Sequence, residues 1–409
     1  MNEQVGGFTA ERLKHLCEVY RGGLLDDVIP FWLRHAVDSE HGGYFTAIGR
    51  EGELLDTDKS IWFQGRFAWV LSSLCNRVQA NEEWLSAAKS GIEFLRAHAS
   101  NDEGRMYFTV TRQGEPLRLR RYVFSEMFAA IANASFAKAS GDSQSAEDAV
   151  MWFERATKAI TTDGLLPSKV DPATRSARGF GAPMIILNSA QELRDTIGYE
   201  KADEWIDWSI DQIRQYFLNE QYRAVMEMVA LDGSLIDHYD GRLLNPGHAL
   251  EGAWFVLREA EFRGDSELQS LGLKMLDWMW QWGWDEEHGG ITYFRDVRDL
   301  PVQEYWHDMK FWWPQNEAII ATLYGYKLSG NEKYAKWHKA IHDWTHNHFP
   351  DREHGEWYGY LHRDGKVSQP SKGTMWKGPF HIPRMQLVCW ELTRELLDQS
   401  NNTVEPDND

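Results

Sequence analysis

Three stretches decide the fold: Asp38-Ser39-Glu40-His41-Gly42-Gly43-Tyr44-Phe45, Asp285-Glu286-Glu287-His288-Gly289-Gly290 leading to Tyr293-Phe294, and Asp351-Arg352-Glu353-His354-Gly355-Glu356-Trp357-Tyr358. Each is a turn of acids, His and Gly that runs into aromatic residues, and self-similarity at a steady period marks a repeat architecture. Weaker copies are Asp102-Glu103-Gly104-Arg105-Met106-Tyr107-Phe108, Thr162-Asp163-Gly164-Leu165-Leu166 and a sixth near Glu220-Gln221-Tyr222-Arg223. The starts at 38, 102, 163, 220, 285 and 351 are 57 to 66 residues apart, so six similar units fill the chain.

Between the turns, apolar residues recur at helical spacing. Examples are Phe67, Val70, Leu71 and Leu74, or Trp84, Ala87, Ile92, Phe94 and Leu95, and similar stretches run over 129–136, 205–217, 250–262, 271–282, 318–328 and 334–346. Each unit holds two helices of ordinary length and one long loop with a short hairpin. The spacing predicts an all-α protein: twelve helices in six hairpins, closed into a toroid around a central cleft, with short β-hairpins confined to the loops. An open solenoid is the structural alternative. No βαβ alternation or Gly-rich nucleotide fingerprint is present. Composition offers no domain boundary, so residues 1–398 read as one domain, and the polar tail 399–409 reads as disordered.

Of the 409 residues, 43 are Lys or Arg and 62 are Asp or Glu, a net charge of −19. Clustered cations that would hold a phosphate backbone or an anionic membrane are absent, which excludes nucleic-acid and membrane partners. No apolar run approaches the ~20 residues of a membrane span, and no basic-then-apolar leader opens the chain. Cys17, Cys75 and Cys389 form neither a disulfide framework nor a metal knuckle. A cytoplasmic protein is expected. The 20 Trp, 15 Tyr and 19 Phe suit a cleft that stacks on the C–H faces of sugars, and a large aromatic core explains them equally well.

Four polar groups sit where inner-ring helices should begin. In Lys59-Ser60-Ile61-Trp62-Phe63-Gln64-Gly65-Arg66, the Arg is either stacked structure or an anion clamp. In Asn245-Pro246-Gly247-His248-Ala249-Leu250-Glu251, His248 and Glu251 share a helix face at i, i+3, which fits a capped structural pair as well as catalysis. In Phe311-Trp312-Trp313-Pro314-Gln315-Asn316-Glu317, an acid in a proline-led first turn also satisfies ordinary helix electrostatics. In Met375-Trp376-Lys377-Gly378-Pro379-Phe380-His381-Ile382-Pro383-Arg384, two prolines and a glycine bracket one imidazole, a stronger catalytic signal. His41, His288 and His354 belong to the repeated turns and are expected to stabilise them. No metal-ligand set is evident, so metal catalysis is not expected.

Together these groups resemble the N-acylglucosamine 2-epimerase family, also known in animals as renin-binding proteins, over about Leu13 to Leu397. The resemblance implies an (α/α)6 barrel and an active-site set of Arg66, His248, Glu317 and His381. Glu251 then resembles the partner of the first His, Lys169 a basic residue at the cleft, and Trp313, Gln315 and Trp376 cleft-lining residues. It further implies a homodimer acting on a small sugar, with no cofactor chemically required and ATP as an activator that is not consumed; Arg175 to Gly181 is the one candidate nucleotide loop. Cellobiose epimerases and aldose–ketose isomerases of the family carry an extra His after the third unit, where this chain reads Pro183-Met184-Ile185-Ile186-Leu187-Asn188-Ser189. That departure points to interconversion of N-acetylglucosamine and N-acetylmannosamine.

Inverting C2 calls for proton removal on one face and return on the other, which two imidazoles of pKa near 6.5 can perform. His248 and His381 are assigned this pair, Glu251 or Glu317 orients an imidazole, and Arg66 holds the enediolate oxygen. Three alternatives stand beside this: a mannose- or cellobiose-type epimerase or isomerase, a glycoside hydrolase using Glu251 and Glu317 as its carboxylate pair, and a non-catalytic protein-binding scaffold.

Overall fold

A computed structural model describes residues 8–120, 122–167 and 171–402. Twelve long helices appear in chain order. Helix α1 runs through Ala10–Gly22, a π-helical turn Gly23–Val28 and Ile29–Ala36, and α2 to α6 are Ile61–Arg77, Glu82–His98, Phe124–Ser140, Ser143–Thr161 and Gly181–Ile197. Helix α7 joins Ala202–Gln212 to a π-helical turn Ile213–Phe217, and α8 to α12 are Pro246–Arg263, Ser266–Gly283, Trp312–Ser329, Glu332–His348 and His381–Asn402. The strands are two to four residues long, pair in sheets of two or three, and lie in the loops between long helices. The final helix continues to Asn402, so 399–402 are helical rather than part of a disordered tail, and 403–409 lie outside the described residues.

Even-numbered helices form the inner ring. Each packs on its inner neighbours, and the ring closes where Arg77 of α2 pairs with Glu391 of α12 and Trp69 meets Phe380 at 5.4 Å. Every residue from Trp312 to Gly325 of α10 and from Ser125 to Ala137 of α4 is buried, as expected for helices with neighbours on all sides. Outer helices such as α11 bury one stripe, Tyr334, Ala335, His338, Ile341, His342 and Thr345. No helix among the described residues is long and apolar enough to cross a membrane.

The repeated turns follow outer helices and lead to inner ones, which puts every inner-helix N-terminus at one end of the barrel. Three of the turns carry the same device. Asp38, Asp285 and Asp351 each cap their own turn by accepting backbone N–H bonds. Each carboxylate also meets a fully buried Lys: Lys59 at 2.9 Å, Lys310 at 3.0 Å and Lys372 at 3.0 Å. An Arg from the hairpin of the next unit completes each cluster: Arg112 at 2.8 Å, Arg363 at 2.7 Å and Arg50 at 2.8 Å. Arg50 comes from the first unit and binds the sixth, so the third latch fastens the two ends of the chain. Burial alone would raise these carboxyl pKa values, but the cations hold all three well below the usual range. His41, His288 and His354 contribute to these turns and stand beside the adjoining Glu at 3.5 to 3.6 Å.

Candidate active site

Asn245 caps α8, accepting the His248 backbone N–H at 3.2 Å, while Pro246 takes the first-turn position that needs no donor. This aims the His248 ring at the cleft. Gly247 is required beside it, because a Cβ there would stand 2.5 Å from the Trp313 indole. Trp313 lies between the two histidines, with ring centroids 5.0 Å from His248 and 5.7 Å from His381. Both imidazoles therefore border one aromatic wall.

Their surroundings differ. His248 Nδ1 lies 3.0 and 3.1 Å from the two carboxylate oxygens of Glu227 and 3.0 Å from the Asn245 amide nitrogen. Burial pulls its pKa down, but the charge and hydrogen bond of Glu227, with Glu251 and Glu317 farther off, leave it raised. His381 Nδ1 is 2.7 Å from Glu317 Oε1. Its pKa falls well below the ordinary value, first through burial and then through the positive charge of Arg384. One imidazole thus favours the cation and the other the neutral ring, and pairs pushed apart in this way fit acid and base roles.

Glu317 is saturated. Oε2 accepts the Trp254 indole N–H at 2.7 Å, and Oε1 accepts from Arg384 at 2.7 Å as well as from His381. Arg384 also donates to Glu251. Glu251, Glu317 and His381 place one ligand-type atom each within 4.8 Å of one another, and the Arg384 guanidinium bridging both carboxylates supplies the positive charge there. Arg66 has no carboxylate within ion-pairing distance among the described residues. Its guanidinium rests on Phe128, Phe380 and Trp62 at 4.1, 4.9 and 5.0 Å, and burial pushes its pKa down to about 9. It remains cationic near neutrality, a positive charge available to an anionic oxygen. The six inner-helix N-termini add partial positive charge at the same end.

The expected residues fall into three groups. Arg66, His248, Glu251, Glu317, His381 and Trp313 come together, with Trp376 at the rim, 45% exposed and edge-on to Trp62 at 5.8 Å. Two expectations are corrected. The carboxylate bonded to His248 is Glu227; Glu251 shares the helix face but reaches Arg384 instead. Gln315 does not line the cleft: it is fully buried, accepting the Ile291 N–H at 2.7 Å and donating to the Ile291 carbonyl at 2.9 Å, as Gln64 does with Tyr44. Lys169 lies outside the described residues. Within the candidate nucleotide segment, Arg178–Gly179 pairs as a strand with Met228–Val229, and Arg178 donates to the Leu231 carbonyl at 2.9 Å.

Sequence reasoning missed Glu227 and Arg384. An acid within Ala224-Val225-Met226-Glu227-Met228-Val229 is a signal in itself, because a carboxylate in an apolar run needs a partner. Arg384 stands one turn after His381, on its helix face.

A family model for N-acylglucosamine 2-epimerase (GlcNAc 2-epimerase) matches residues 43–382. The N-acylglucosamine 2-epimerase of Bos taurus is 37% identical over 391 residues, covering 92% of this chain and 90% of its own length. The cellobiose 2-epimerase of Ruminococcus albus is 25% identical over 399 residues, covering 92% of this chain and 98% of its own. The solved cellobiose 2-epimerase of Bacillus thermoamylovorans superposes with a TM-score of 0.81 at 18% identity, over 92% of this chain and 99% of that one, which shows the shared (α/α)6 barrel. With the family model spanning most of its length and its polar groups gathered at one end of that barrel, this chain belongs to the N-acylglucosamine 2-epimerase family of sugar-epimerising enzymes.

Proposed function

We propose that this enzyme interconverts N-acetylglucosamine and N-acetylmannosamine by proton transfer at C2 of the open-chain sugar. The observation that carries the reading is the pair of imidazoles bordering Trp313, each bonded through Nδ1 to its own carboxylate and pushed in opposite directions from the ordinary histidine pKa. With Nδ1–H donated to Glu317, Nε2 of His381 is free to accept the C2 proton. The C2–H electron pair moves into the C1–C2 bond, and the C1 oxygen becomes an enolate oxygen. Arg66 holds that oxygen where charge develops. His248, protonated beside Glu227, returns a proton to C2 from the opposite face. The reverse direction exchanges the two roles. Each positioned acid or base contributes about 10²–10⁴ in rate.

Two facts favour the N-acyl substrate over free sugars. Identity is higher to the N-acylglucosamine enzymes, 37% against 25% for a cellobiose enzyme, and no His occupies Pro183 to Ser189. A hydrolase is disfavoured by geometry: Arg384 bridges Glu251 and Glu317, and both Glu317 oxygens are already engaged by Trp254, Arg384 and His381, which leaves Glu317 no free oxygen to act as acid or nucleophile on a glycosidic bond. The same reading includes a cytoplasmic homodimer and turnover without a metal. Size-exclusion chromatography tests the first, and dialysis against a strong chelator tests the second.

The deciding experiment is incubation in D₂O with N-acetylmannosamine, N-acetylglucosamine, mannose and cellobiose, followed by NMR. The N-acetyl pair should interconvert with deuterium entering at C2, and mannose should react much more slowly. Preferential conversion of mannose or cellobiose moves the enzyme to the free-sugar branch, and epimerisation without deuterium rejects the proton-transfer steps.

A further inference from the structure

The two histidines have the same kind of partner on Nδ1, a glutamate, yet their protonation preferences are opposite. One difference beside them is a guanidinium. Glu227 pairs with His248 through both oxygens. Glu317 divides the oxygen that faces His381 between that ring and Arg384, and Arg384 Nη2 itself stands 3.3 Å from His381 Nδ1. Glu251, Glu317, His381 and Arg384 are each at least nine-tenths buried, so water screens little of this charge.

We infer that Arg384 is a positioning residue that competes with His381 for the two carboxylates and thereby holds its imidazole neutral, making His381 the resting base and leaving the proton on His248. The inference deepens the proposed reaction and rests on it for the meaning of base and acid. The groups that face His381 are Arg384 on its own helix, Glu317 on α10, Glu251 and His248 on α8, and Arg66 on α2. With Arg384 removed, two carboxylates would face one imidazole, and Arg66 and His248 would oppose them more weakly than Arg384 does. That surrounding favours the imidazolium, as Glu227 does at His248. The resting enzyme is accordingly primed for the epimer whose C2 hydrogen faces His381.

The test compares Arg384→Gln with Arg384→Lys, which keeps the charge and loses the fork. Two readouts are used: the pH profile of kcat/KM with N-acetylmannosamine, and the titration of the His381 ring by NMR of histidine-labelled protein without sugar, assigned with His381→Asn. In Arg384→Gln, His381 should titrate at higher pH than in the wild type, and the ratio of activity at pH 6 to that at pH 8 should fall about tenfold or more, because the acid limb reports the free-enzyme base. Arg384→Lys should keep the wild-type limb. Equal loss at every pH with an unmoved His381 titration overturns the inference and leaves Arg384 a structural tie. Should thermal melts show that Arg384→Gln does not fold, Glu251→Gln decides, because one carboxylate fewer beside the retained guanidinium must leave the acid limb at or below its wild-type position. A limb that rises overturns the inference. The ring titration is read without turnover, so a wild-type enzyme inactive on N-acetyl sugars would defeat the substrate assignment without deciding this one.

Discussion

Two sets of histidines can be compared in this barrel, one at the cleft and one in the outer wall. His338, His342 and His346 succeed one another on α11 with ring centroids 5.6 and 3.9 Å apart, and the Tyr20 hydroxyl of α1 bridges His338 Nε2 at 3.0 Å and His342 Nδ1 at 2.8 Å. Burial, then the positive charge of Arg12, drives His338 down to about 3, and burial brings His346 to about 4. His342 is held low by the same causes. No carboxylate bonds to any of these three rings among the described residues, whereas each cleft histidine has one on Nδ1. The sets do not differ in burial: His338, His342 and His381 are buried, and His346 and His248 are half-buried. On the proposed mechanism, what separates a catalytic imidazole from a packed one here is a charged acceptor that fixes the ring and lets it carry a proton.

The largest effect expected from this contrast is on turnover. His248→Asn or His381→Asn should lower kcat by about 10²–10⁴, roughly 3–5 kcal/mol of barrier, with an unchanged circular dichroism spectrum. Retention of a tenth of the activity in both variants would erase the distinction between the two sets.

The wall histidines should show themselves in acid. Their folded pKa values lie below the unfolded value near 6.5, so the unfolded state binds protons that the folded state refuses. Their contribution is complete above pH 6.5 and is lost as pH falls toward about 4 for His346 and about 3 for His338. Each ring that stays neutral adds a slope of about 1.4 kcal/mol per pH unit within that window. Urea titrations at pH 7, 6 and 5 measure it, and a flat midpoint across them would contradict the neutral ladder.

A smaller change sharpens the cleft side. Glu227→Gln removes the main group raising the His248 pKa, so the basic limb of kcat/KM should move to lower pH. The loss of a charged hydrogen bond should cost about 1.5–3 kcal/mol, or tenfold and more in kcat/KM. An unmoved basic limb would return the role to Glu251. The smallest effect is Tyr20→Phe, which takes a hydroxyl from two wall imidazoles. It should cost about 1–2 kcal/mol in thermal or urea stability and leave kcat per folded molecule unchanged.

The same division appears in how much could be read from the residues. The repeated turns disclose six units because Asp38, Asp285 and Asp351 cap turns through bonds made within a few residues. Proline, glycine and cap residues likewise announce where α8, α10 and α12 begin, and with them His248, Glu317 and His381. Gln315 could have been placed correctly from the repeat itself, since it follows Lys310 as Gln64 follows Lys59, and both glutamines pin a turn. The outer helices declare themselves by one apolar stripe, while α10, buried on every side, has no such stripe to read.

By itself, then, the sequence determined the number of units, the helical class, the end of the barrel that carries the chemistry and most of the polar residues found there. All of these follow from interactions within one turn, one cap or one period. Tertiary structure alone decided which acid serves which histidine. Glu227 reaches His248 across 21 positions, Glu317 reaches His381 across 64, and Arg384 reaches Glu251 across 133. Those pairings exist because the closed ring brings helix starts from different units to one axis, and the protonation of each imidazole follows from the charges met there, which no local spacing encodes.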